Sequence, residues 1–98
     1  GEQWGTLNTQ KGETQEVFVS TRPTPVQTIP AARALGDHLR AWRKLQGLTI
    51  EQVAQRAGTT RNTVSRLERG EPSVGLEVLL NVANALGQID RLVLSVDP

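Results

Sequence analysis

Arg61, Asn62, Ser65, Arg66 and Arg69 stand close together in the run TTRNTVSRLERG. At ~100° per residue on a helix they share an arc of about 140°, and Val64 and Leu67 fall on the opposite side. An arginine guanidinium can donate twice to a guanine edge, and an asparagine carboxamide can pair with an adenine edge. Arg61 and Asn62 sit in the first turn, the part of such a helix that reaches base edges. Ser65, Arg69 and the Thr60 hydroxyl are suited to phosphate, which fixes register without reading sequence. A helix carrying this set has the chemistry to enter a DNA major groove.

The flanking residues hold that helix in place. Thr60 is an N-cap candidate, and Gly70 closes the helix. Before it, Thr49-Ile50-Glu51-Gln52 fits a capping box that opens a shorter helix with Val53, Ala54 and Ala57 facing inward. Gly58 can take a positive φ at little cost, so the chain reverses within about three residues. Ala54, four residues earlier, is small enough for the two helices to approach. An earlier stripe, Leu35, Leu39, Trp42 and Leu45, predicts a first helix ended by Gly47. A later one, Leu76, Leu79, Leu80, Ala83 and Leu86, predicts a fourth ended by Gly87, after a loop over residues 71–75. The tail from Gln88 to Val96 places Ile89, Leu92, Val93 and Val96 at helical spacing, with a strand as the minority reading.

The composition fits this layout. The chain has 98 residues, 37% hydrophobic, with two Trp, one Phe and no Tyr, Met or Cys. The core must be built of Leu, Val and Ala, which favours packed helices. Disulfides and thiolate metal sites are excluded. No apolar run reaches the ~20 residues that cross a bilayer, and no secretory pattern is present, so the expected location is the cytoplasm. Gly1 in place of methionine suggests a processed or engineered N-terminus. Net charge is +1, but residues 31–98 carry nine basic and seven acidic side chains, and three of the nine lie within 61–69.

Residues 1–30 differ in composition. They are rich in Gln, Thr, Gly and Pro, and lack a helical apolar period. We expect a mostly extended or disordered arm here, with a helix-turn-helix domain over 31–98. Glu16–Ser20 could form a short strand, and Trp4 could anchor a partner.

Leu35–Gly87 resembles the phage-repressor and Cro-like helix-turn-helix family, also called the XRE family. The matching text is LGDHLRAWRKLQGLTIEQVAQRAGTTRNTVSRLERGEPS followed by LEVLLNVANALG. The resemblance implies an all-α, five-helix, lambda-repressor-like domain that binds operator DNA, usually as a homodimer on a palindrome. Carried over by position, it makes Arg61, Asn62 and Arg66 base readers. Thr49, Thr60, Ser65 and Arg69 become backbone contacts. The chain departs from the family at Ile50, where glutamine usually clamps a phosphate. Either that clamp is missing, or Ile50 packs against a thymine methyl or the core.

Other chemistry is disfavoured. His38 is the only histidine and falls on the polar side of its helix, so neither a metal site nor a catalytic serine–histidine pair is expected. No cofactor is expected. The leading reading is a transcriptional repressor binding double-stranded DNA. The alternative is an antitoxin or adaptor that holds a partner protein through the N-terminal arm or the C-terminal tail. A helical module that binds only protein is the third class. Surplus apolar residues in the tail favour a homodimer, or else close the monomer core.

Overall fold

The structure, a computed structural model, describes residues 23–98. The proposed strand at Glu16–Ser20, Trp4 and most of the expected arm lie outside the described residues. The described residues form five helices and no strand: α1 (Thr28–Leu45), α2 (Ile50–Ala57), α3 (Arg61–Glu68), α4 (Leu76–Ala85) and α5 (Ile89–Leu94). The all-α, five-helix expectation holds, and the tail is a helix.

Helix α1 begins at Thr28, three residues ahead of Ala31. Pro30 is no obstacle there, because first-turn amides have no intrahelical acceptor to lose. Helices α1 to α4 each end on a glycine with positive φ. At Gly58, φ is 67°; the Gly58 amide donates to the Gln55 carbonyl at 3.2 Å and the Thr59 amide to the Ala54 carbonyl at 3.0 Å. This Schellman closure turns α2 into α3 within three residues.

Helices α2, α3 and α4 pack on one another, α1 packs on α3, and α5 packs on α4. Their shared core contains Leu39, Val53, Ala54, Ala57, Val64, Leu67, Val82 and Leu86, with Val53 and Val64 fully enclosed. Two expected core positions are instead exposed: Leu45 at 77% and Leu76 at 69%. Spacings of four, three and three drift around a 3.6-residue helix, so Leu45 ends about 120° from Leu39. Leu76 is the first residue of α4, where only later turns reach the core. Val82, absent from the expected stripe, takes a core place.

Arg43 lies about 40° from Leu39 on the wheel and is buried with it. Its Nε donates to Glu68 Oε2 at 2.7 Å, its Nη2 to Glu68 Oε1 at 3.1 Å, and its Nη1 to the Leu48 carbonyl at 2.9 Å. A two-pronged ion pair thus joins α1 to the end of α3. Beside it the backbones almost touch. A Cβ on Gly36 would sit 2.6 Å from the carbonyl oxygens of both Leu67 and Glu68, and one on Gly70 would sit 2.5 Å from Arg33 Cα. Both glycines are required by space, and Gly70 also by its φ of +77°.

Trp42 is half-buried at the edge of the core, with the Arg91 guanidinium 5.4 Å from its ring centroid. That stacking links α1 to α5. No described helix is long and apolar enough to cross a membrane.

Candidate nucleic-acid interface

The α2–turn–α3 hairpin is fixed at both helix starts by side-chain caps. Thr49 Oγ1 accepts from the Gln52 amide at 3.0 Å, and Gln52 Oε1 accepts from the Thr49 amide at 2.9 Å, completing the expected capping box. Thr60 Oγ1 accepts from the Thr63 amide at 3.2 Å and shares a hydrogen bond with Thr63 Oγ1 at 2.8 Å. Both threonine hydroxyls therefore have structural work as caps, besides any phosphate contact. The other orphan amides of these first turns give each helix start an affinity for anions.

Helix α3 is pinned by Val64 and Leu67, at 0% and 7% exposure. On its other side Arg61 and Asn62 are exposed, and neither makes a side-chain hydrogen bond or ion pair among the described residues. Arg61 also lines an open groove with Leu48, Thr49, Ile50 and Glu51, which brings Thr49 and Arg61 to one surface. Ile50 is half-buried, packing one side against the core while also lining the groove beside Arg61.

The remaining expected site residues form a second cluster. Arg66 Nε donates to Glu71 Oε1 at 2.8 Å, and Arg66 Nη2 to Ser73 Oγ at 3.2 Å. Arg69 Nη2 donates to Glu71 Oε2 at 3.0 Å, and Arg69 Nη1 to Ser65 Oγ at 2.7 Å. Glu71 bridges both arginines, and their hydrogen bonds, Arg66 foremost, hold its carboxyl below the ordinary value of 4.5. The pairs are partly exposed, so the network organises side chains more than it stabilises the fold. Sequence reading named Ser65, Arg66 and Arg69 but missed Glu71 and Ser73. The available signal was an acid placed just past the helix-ending glycine, within reach of two arginines.

His38 is exposed, and among the described residues no three His, Asp or Glu side chains gather as a metal site requires.

Two short helices crossing at a glycine turn, the second presenting polar side chains outward, define a helix-turn-helix protein. The helix-turn-helix family model matches residues 39–94, more than half of the chain, and the chain belongs to that family. A Methanothermobacter thermautotrophicus protein named as an HTH-type transcriptional regulator is 44% identical over 50 residues, covering 51% of this chain and 72% of that protein. A Pyrobaculum aerophilum protein named as an HTH-type transcriptional regulatory protein is 40% identical over 53 residues, covering 54% of this chain. The match spans only 21% of the Pyrobaculum protein. No solved structure matches the chain significantly.

Proposed function

We infer that this chain is a sequence-specific, double-stranded-DNA-binding transcriptional regulator, acting as a repressor, that inserts α3 into the major groove. The observation that carries this reading is the two-sidedness of α3: Val64 and Leu67 sealed in the core, Arg61 and Asn62 exposed in the first turn. That turn is where helix-turn-helix docking reaches base edges. Arg61, Asn62 and Arg66 read bases, while Thr49, Thr60, Ser65 and Arg69 hold the backbone. The family membership and the names of both relatives support the same reading.

The active form is a homodimer. Val93, Leu94 and Val96 are 60%, 63% and 83% exposed at the C-terminal end, an apolar surface that a second copy can cover. Two recognition helices related by a two-fold axis then meet half-sites about one helical turn apart.

The test is selection of bound duplexes from a random pool at moderate salt. A palindromic consensus with half-sites ~10 base pairs apart is expected. On that duplex Arg61→Ala should weaken binding by ~1–3 kcal/mol and relax one position. Arg69→Ala should weaken all sequences alike and flatten the salt dependence. Absence of any preferred sequence, together with salt-insensitive affinity, would overturn the reading.

A further inference from the structure

We propose that Glu71, outside the recognition helix, is a positioning residue for base reading by Arg66. This rests on the DNA-reading function above and specifies how one reader is aimed. Glu71 is itself fixed by the way α3 ends. Gly70 closes the helix, and the next amide, that of Glu71, donates back to the Arg66 carbonyl at 3.1 Å. Pro72 follows and restricts the Glu71 backbone to extended conformations. The carboxylate is thereby brought back to the guanidinium of the same residue whose carbonyl its backbone holds.

The pattern of occupied donors gives the arrangement its meaning. Glu71 and Ser73 hold the Arg66 guanidinium through Nε at 2.8 Å and Nη2 at 3.2 Å. Nη1 makes no hydrogen bond among the described residues and Nη2 makes one for its two hydrogens, which leaves each of these nitrogens a donor. Those two donors match the O6 and N7 acceptors of guanine. An arginine side chain that is ordered before DNA arrives loses less freedom on binding. It is also held to one direction, and this raises discrimination.

The second oxygen of Glu71 adds another consequence. It holds Arg69, whose other prong rests on Ser65. One negative charge is thereby set among the arginines of the reading surface, which lowers attraction to phosphate of any sequence. Glu71 therefore sharpens reading and suppresses indiscriminate binding.

The experiment uses the full chain as wild type, Glu71→Gln, Arg66→Ala and the double variant. The probes are a duplex selected by the wild type from a random pool, its single-base-pair variants and a scrambled duplex. Glu71→Gln should lose about tenfold discrimination at one base pair while binding the scrambled duplex as tightly as wild type or tighter. In the Arg66→Ala background the same change should leave discrimination unaltered, because the residue being aimed is gone. A purely structural role would instead weaken both probes together, with the same loss in the Arg66→Ala background.

Undiminished discrimination in Glu71→Gln overturns the proposal. So does an equal loss of discrimination with and without Arg66, or uniform tightening on every probe. Should the wild type select no sequence at all, the DNA-reading function falls and takes this inference with it. If selection succeeds and Glu71→Gln reads as sharply as wild type, only the inference falls.

Discussion

Replacing Glu68 by alanine should destabilise this protein by about 3–5 kcal/mol, although the residue is buried away from the outward face of α3. The Arg43 and Glu68 side chains retain only 10% and 6% of their exposure, and two hydrogen bonds of 2.7 and 3.1 Å join them. The alanine variant would strand a buried guanidinium with only the Leu48 carbonyl as partner. Each charge-assisted hydrogen bond is worth about 1.5–3 kcal/mol, and breaking a buried pair from one side costs about 3–5 kcal/mol in total. For a domain of this size each kcal/mol moves the melting temperature by about 4–8 °C, so a loss of at least ~12 °C follows. Replacing both partners, as in Arg43→Met with Glu68→Leu, removes the stranded charge and should recover most of the loss. Urea titration of wild type, the two single variants and the double variant measures the coupling. A single-variant cost below ~1 kcal/mol, or additive behaviour of the two, would refute the view that this pair holds α3 against α1.

Gly36→Ala should destabilise by about 1–3 kcal/mol through overpacking against two backbone carbonyls, despite the better helix propensity of alanine; thermal melting tests the sign. Thr60→Ala removes the α3 cap and should cost about 0.5–2 kcal/mol in the same assay. Acid should weaken the Glu71 network in a defined direction. Its folded-state value is depressed, so its stabilising contribution is present above 4.5 and is lost as pH falls through the lower folded value. The stability difference between wild type and Glu71→Gln should accordingly hold constant from neutral pH to about 5 and shrink below 4.5, as urea titrations across that range would show.

The helix-turn-helix was legible because its signals are local. Thr49 with Gln52, Thr60, and Gly58 each act within four residues, so their spacing alone specifies caps and turn. The inward set Val53, Ala54, Ala57, Val64 and Leu67 followed from helical period. What escaped depends on partners distant in sequence. Glu68 falls within about 20° of Arg61 on the α3 wheel, so a polar-versus-apolar pattern assigns it to the solvated face. Its burial follows only once Arg43, 25 positions earlier, is seen to meet it. Gly36 reads as a weak spot in a helix until the end of α3 arrives beside it. Arg66 was placed on the outer face, but the acid and hydroxyl that hold it come from the loop after α3, which has no periodic signature.

The near-contact of α1 with the end of α3 at Gly36 and Gly70 also bears on how such a protein could be given new targets. Main chain abuts main chain there, so the pose of α3 on the body is insensitive to the bulk of its outward side chains. Positions 61, 62 and 66 can then be exchanged as a cassette, with the mounting unchanged beneath them. On the proposed DNA-reading role, retargeting should be attainable by randomising positions 61, 62 and 66 with Glu71, and libraries that vary Gly36 or Gly70 should yield mostly unfolded clones.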